Sequence, residues 1–199
     1  MIRRGAGLAV LLVSNASCAG LRPPPAGAPE AARRVETYSA SLRVSLKGPE
    51  LRARTPAIVA FRRPDALRVE VPGPAGPRLI AVARAGRLQA VFPRSRAVFG
   101  AEASRDSFAA LFGIALEPSE IMDFLVGTRA PGLRQYAVGW GDALPRAIRA
   151  TLPDGGRLNV DVDEAVTGAE LPEGAFVSPL HAGYREVSAP EARRLWSER

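Results

Sequence analysis

The stretch SRDSFAALFGIALEPSEIMDFLVG, residues 104–127, breaks the pattern that governs the sequence before it. Phe108, Leu111 and Phe112 recur at helical spacing, and Gly113 is placed to end that helix. Pro118-Ser-Glu120 opens a second helix, which carries Ile121, Phe124 and Leu125 on one face before Gly127. Two short amphipathic helices in tandem need an apolar surface on which to lay their aromatic stripes. The rest of the chain has to supply it.

Upstream, residues 37–47 read TYSASLRVSLK. Tyr38, Ala40, Leu42, Val44 and Leu46 alternate with Thr37, Ser39, Ser41, Arg43 and Ser45, the period-two signature of a half-buried antiparallel strand. Lys47-Gly-Pro-Glu50 is a turn, and a second strand follows over about 51–62, closed by Arg63-Pro64-Asp65. Leu67, Val69 and Val71 mark a third strand before the loop 72–77. Residues 79–83, 87–92 and 97–99 supply three more, separated by Ala85-Gly86 and Pro93-Arg-Ser95. Six sequential strands with short breaks read as an up-and-down meander. After the helices come strands over 134–140 and 146–152, a hairpin turn at Asp154-Gly-Gly156 and a returning strand over 158–162. A last extended segment holds Phe176 and Val177, and Ser188-Ala-Pro-Glu191 caps a C-terminal helix running through Trp196. Strands, a helical pair and more strands make one α+β domain over residues 34–199.

Composition bounds the function. The 199 residues carry a formal net charge of +7, and every basic residue but Lys47 is arginine. The arginines are scattered along strands and balanced locally by acids, without the basic block or aromatic interleaving of a nucleic-acid binder, so no nucleic-acid partner is expected. Attraction to an anionic membrane surface is a better use of the charge. The only cysteine, Cys18, rules out a disulfide framework, and neither a metal nor a cofactor is expected. His181 stands in a late loop with no carboxylate partner in sequence. Asp161, Asp163 and Glu164 lack the spacing of a calcium loop and read as a solvated strand edge. With no nucleophile elbow, phosphate loop or dinucleotide fingerprint, the expectation is that the protein is not an enzyme and has no catalytic residues.

The N-terminus carries its own message. Arg3 and Arg4 precede the apolar run 8–13, and Asn15-Ala-Ser-Cys18 follows, in the order of a secretory signal peptide too short to span a bilayer. A cysteine at the cleavage point resembles the bacterial lipoprotein pattern, in which that cysteine becomes the acylated N-terminus. Asn15 stands where that family prefers a Leu-like residue. Ordinary cleavage after Ala16 or Ser17, leaving a soluble exported protein, stays open. Residues 1–17 are thus read as the signal peptide, Cys18 as the lipidation site, and the proline-rich residues 18–33 as an extended tether.

Three segments together resemble the LolA/LolB-like lipoprotein-localisation family, and within it the LolB-like outer-membrane lipoproteins. They are VEVPGPAGPRLI at 69–80, the helical pair at 104–127, and LPEGAF at 171–176 with Gly183-Tyr184. The resemblance implies a strongly bent, unclosed antiparallel sheet, a half-barrel, with short helices covering its concave face. It implies an apolar cavity for the acyl chains of lipoproteins or other lipid, an outer-membrane anchor facing the periplasm, a role in lipoprotein localisation or insertion, and a possible periplasmic carrier protein as partner. On that reading Phe108, Leu111, Phe112, Ile121, Phe124 and Leu125 are lid candidates, and Leu42, Val44, Leu67 and Val69 are wall candidates. The membrane-facing loop position falls on Ala75, where the family carries a bulky apolar residue. Two alternatives stay open: an accessory envelope lipoprotein with a closed core, and a soluble periplasmic carrier of a hydrophobic ligand.

Overall fold

The computed structural model describes residues 21–49, 51–179 and 182–197; Cys18, Asn15 and His181 lie outside them, as does the segment 1–17 read as a signal peptide. Ten strands form one sheet: β1 (Thr37–Lys47), β2 (Arg52–Arg62), β3 (Ala66–Val71), β4 (Leu79–Arg84), β5 (Arg87–Phe92), β6 (Ala97–Glu102), β7 (Gln135–Trp140), β8 (Pro145–Thr151), β9 (Arg157–Thr167) and β10 (Arg185–Glu186). Among the described residues four α-helices accompany them: α1 (Ala28–Arg33), α2 (Arg105–Phe112), α3 (Pro118–Leu125) and α4 (Ala189–Ser197). The fold is α+β. The sheet order is β10-β6-β5-β4-β3-β2-β1-β9-β8-β7, and its two end strands do not pair, so the half-barrel stays open. The first six strands form the expected meander, and β9 joins the second, three-stranded meander to β1. The sheet is mixed rather than wholly antiparallel, because the two-residue β10 runs parallel to β6.

The alternation in β1 does what a period of two requires. Tyr38, Ala40, Leu42 and Leu46 are buried, while Ser41, Arg43 and Lys47 are exposed. Strand β4 is buried along five consecutive residues because both its faces are covered. Leu79, Ala81 and Ala83 enter the main core, whereas Ile80 and Val82 join a smaller one with Ala60, Ala66 and Phe176. The cover on that outer face is a 3-10 turn, Glu173–Phe176, where an extended segment was expected. The Arg68 guanidinium donates to the Ala175 carbonyl at 3.2 Å, and the Arg62 guanidinium lies 5.5 Å from the Phe176 ring centre. Phe176 therefore acts as a plug rather than a strand residue.

Two further expectations are corrected. Residues 28–33 of the supposed tether form α1, started by Pro29 in its first turn, with Ala28 and Ala32 buried in the main core. Asp161 does not lie on an edge of β9, since it pairs with Arg43 of β1 on one side and Ala147 of β8 on the other, whereas Asp163 and Glu164 stand past the end of the β8 ladder. The Asp161 and Asp163 carboxylates sit on the outer face of β9, where Asp161 pairs with Arg149 and Asp163 pairs with Arg43 at 2.8 Å. No helix among the described residues is long and apolar enough to cross a membrane.

Candidate functional site

The helical stretch 104–127 folds as its spacing dictates. The Ser104 hydroxyl caps α2 by accepting from the Ser107 N–H at 3.3 Å. Pro118 starts α3, and the Glu120 carboxylate accepts the Glu117 N–H at 2.8 Å while pairing with Arg105 at 2.7 Å, which ties the starts of the two helices together. Both helices stop at glycines with left-handed backbone. At Gly113 (φ 70°) a Cβ would stand 3.1 Å from Leu46 Cδ2, and at Gly127 (φ 85°) one would stand 2.8 Å from the Trp140 ring. Here glycine serves two ends at once, the αL turn and close seating on the sheet. The Thr128 N–H donates to the Asp123 carbonyl at 2.8 Å, closing α3 as a Schellman motif does.

The last carbonyls of α2 need partners as well. Helix α4 provides them: the Arg193 guanidinium donates to the Ala109 and Ala110 carbonyls at 2.8 Å, and the Trp196 indole N–H donates to the Leu111 carbonyl at 2.9 Å. The Trp196 ring lies 5.9 Å from Phe112, which in turn lies 5.6 Å from Phe108.

Between this roof and the inner face of β9-β1-β2-β3 remains a cavity of about 110 Å³. Its floor is built in cross-strand rows. Val160, Val44 and Thr55 stand opposite one another across β9, β1 and β2, as do Leu158, Leu46 and Ala53 in the next row. Leu42 faces Ala57, and Val59 faces Val69. The inner face of β2 reads Ala53, Thr55, Ala57, Val59, and these small side chains leave the space that leucine or phenylalanine would fill. Thr55 is the one polar residue in the lining; its hydroxyl donates to the Pro56 carbonyl at 3.1 Å and accepts from Arg78 at 3.3 Å. The lining residues that are partly exposed are Val44, Ala53, Val69, Ile114 and Ile121, so the cavity opens between the long β1–β2 hairpin and the α2–α3 connection.

Eight of the ten candidate residues line this cavity: Leu42, Val44, Val69, Phe108, Phe112, Ile121, Phe124 and Leu125. The structure does not bring Leu67 or Leu111 to it. Leu67 lies further along β3, between Phe61 and Ala83, and Leu111 sits roughly 100° round α2 from Phe112; both are core. Sequence reasoning missed Thr55 and the alanines of β2, whose period-two spacing was visible but whose small size drew no attention. It also missed Trp196, which reaches the cavity from the far end of the chain. Ala75 is exposed in the β3–β4 loop.

Two phenol hydroxyls lie buried beside this core. Tyr38 stacks on Phe61 at 5.2 Å, and Tyr136 lies 6.0 Å from Phe124. Neither hydroxyl has a hydrogen-bond partner among the described residues. Burial pushes the Tyr38 phenol up to about 12. Burial, and then the Asp123 carboxylate, push Tyr136 well above the usual phenol range. No group of three or more metal-ligating side chains occurs among the described residues.

No protein-family model matches the chain, and no curated protein matches it. Solved structures overlap it loosely. A LolA superfamily protein from Nitrosomonas europaea shares 11% identity over 79% of this chain and 93% of its own, with a TM-score of 0.43. A DUF1329 family protein from Desulfovibrio piger shares 11% over 75% and 92%, with a TM-score of 0.45. An uncharacterized conserved protein from Thermus thermophilus shares 14% over 80% and 94%, with a TM-score of 0.44. At these scores the likenesses carry no argument about family or ligand.

Proposed function

We propose that the domain binds hydrocarbon chains of lipids or lipidated proteins in the cavity under α2, α3 and α4, without catalysing a reaction. The observation that carries this reading is a void lined by apolar side chains, with one threonine whose hydroxyl is already engaged. Such a lining offers an entering water almost no free polar partner and so favours an apolar occupant. A dry apolar void of about 150 Å³ accommodates a benzene-sized group. The 110 Å³ present here suits a short run of methylenes.

The size also says how the site works. A void of about 150 Å³ takes the six carbons of benzene, so by proportion this one takes about four methylenes. Burying each gains about 0.8 kcal/mol, so about 3 kcal/mol is available, a hold weaker than millimolar. A whole chain therefore requires the roof to rise. The partly exposed Ile114 and Ile121 flank the opening, and α4 is the element whose displacement adds room. Weak, expandable holding fits transfer better than storage. With the acylation signal at Cys18 and the resemblance of residues 69–80 and 104–127, we place the protein in the envelope as an outer-membrane-anchored lipoprotein that assists lipoprotein localisation. Ala75 buries little surface, so insertion through that loop is not part of the proposal.

The test is purification from membranes followed by mass spectrometry of the bound lipid, paired with metabolic labelling by an alkynyl palmitate in wild type and Cys18→Ala. Acyl ligand in the wild type and loss of label in the variant are expected. Unchanged labelling defeats the anchor. Protein that never carries or takes up lipid favours the second reading, an accessory lipoprotein with a closed core, for which the small cavity and the hydrogen-bonded seal of α4 speak.

A further inference from the structure

The outer face of the same strand ends carries cations in an arrangement that costs stability on its own. Arg52, Lys47 and Arg157 stand directly opposite one another across β2, β1 and β9, and in the next row Arg54 faces Ser45, which faces Asn159. Like charges placed opposite in a sheet repel. Two acids on this face are already taken, Asp161 by Arg149 and Asp163 by Arg43, and the exposed Glu164 stands opposite Ser41, six residues along β1 from Lys47. In the adjoining turn an Asp154 oxygen accepts the Gly156 N–H at 2.8 Å, and Glu50 lies outside the described residues. Lys47, Arg52, Arg54 and Arg157 are all exposed and have no ion-pair partner among the described residues. Lys47, Arg52, Arg54 and Arg149 line a surface cleft of about 420 Å³.

We infer that this face docks on the phosphate headgroups of an anionic bilayer. Two observations select a membrane over a nucleic acid. The rows contain no aromatic side chain on which a base could stack. Leu46 and Ala53 line both the cleft and the apolar cavity, so the cationic cleft and the cavity adjoin at the same end of the β1–β2 hairpin. A phosphate on the outer face and its hydrocarbon beside the inner one match the two ends of a phospholipid. This choice of partner rests on the lipid reading of the cavity; the charge pattern does not.

The test uses the full-length chain carrying Cys18→Ser, so that no acyl anchor contributes. Binding is read by co-sedimentation with vesicles of phosphatidylcholine alone or mixed with phosphatidylglycerol. Binding to the anionic vesicles only is expected, with loss in about 1 M salt, where the screening length falls to about 3 Å. Each cation near an anionic surface contributes about fivefold, so the Lys47→Gln, Arg52→Gln, Arg54→Gln, Arg157→Gln variant should bind at least about 100-fold more weakly. A control, Arg84→Gln with Arg87→Gln on the distant β4–β5 hairpin, should change binding less than about twofold. If the fourfold variant fails to fold, Lys47→Gln alone should still show the fivefold loss. Equal binding to neutral vesicles, a charge variant that binds like the wild type, or tighter binding to a single-stranded oligonucleotide would overturn the inference. Uptake of a fluorescent fatty acid in vesicle-free solution is measured in parallel and should be unaffected by the charge changes. Charge-dependent vesicle binding without any probe uptake would sink the cavity reading and leave the docking face standing.

Discussion

Filling the cavity from its floor should raise stability and weaken lipid uptake together, and Ala57→Leu is the substitution that does it. Ala57 is 4% exposed, faces Leu42 across the β1–β2 ladder and lines the void directly. At roughly 24 cal/mol per Å³ of void, a cavity of 110 Å³ costs the fold about 2.6 kcal/mol. Leucine adds three carbons, and recovering about half of that cost gives a gain of about 1.3 kcal/mol, within the usual return of cavity filling. For a chain of this size the melting temperature should rise by about 4 °C. The same carbons occupy the room of about three acyl methylenes, worth about 2.4 kcal/mol, so a fluorescent fatty-acid probe should bind about 50-fold more weakly. Thermal melts by circular dichroism and probe titration read the two effects separately. A fall in melting temperature with probe affinity intact would refute the reasoning, because it means that the space is already packed shut and that lipid binds elsewhere.

The buried phenols set an alkaline limit. Below about pH 10 both tyrosines are neutral folded or unfolded, but between about 10 and 12 the unfolded chain releases the Tyr38 proton while the folded chain keeps it, so stability falls as pH rises through that window. Urea unfolding at pH 9 and pH 11 should show this loss, and Tyr38→Phe should reduce it while removing an unsatisfied hydroxyl; an unchanged pH slope in the variant speaks against the assignment. Trp196→Ala deletes a buried ring and the hydrogen bond to Leu111, and should cost about 3–5 kcal/mol, speed hydrogen exchange in α4 and tighten uptake of long-chain probes. Weaker uptake in that variant would show that α4 is part of the holding surface rather than its cover. Gly113→Ala should cost about 1–3 kcal/mol by urea melt, from left-handed strain plus contact of the new methyl with Leu46. A loss below about 0.5 kcal/mol would mean that the α2–α3 connection moves away without penalty.

Much of this architecture is local, and local features are what a single sequence displays. The alternation in residues 37–47, the turn signals between strands and the spacing of Phe108, Phe112, Ile121 and Phe124 each rest on a period imposed by backbone geometry. Contributions that depend on distant partners were hidden. Trp196 lines the cavity because Arg193 and its own indole cap α2, more than 80 residues away in sequence. Phe176 looked like a strand residue because a 3-10 turn covering a second apolar face leaves no periodicity. The alanines of β2 were legible as a strand face, but their role is to leave space, and empty space has no letter. Asp161 looked like an edge residue because its partner on one side, Arg43, comes from β1, more than 100 residues away in sequence.

The start of the described chain has a mechanical consequence. The Trp140 N–H donates to the Arg22 carbonyl at 3.1 Å, and Leu21 packs so closely on Gly139 that a Cβ there would stand 2.9 Å from its methyl. With α1 packed as well, the slack between Cys18 and the folded body shrinks from the sixteen residues read in the sequence to the three steps from Cys18 to Leu21. Three steps of chain reach about 10 Å, against about 55 Å for sixteen. Under the acylation proposed for Cys18, so short a leash would moor the molecule against the leaflet. The mooring point lies at the Trp140 end of β7, whereas the cationic rows run toward its Gln135 end. Both can touch one surface only if the strands lie nearly flat along it, which turns the sheet into a raft rather than a buoy.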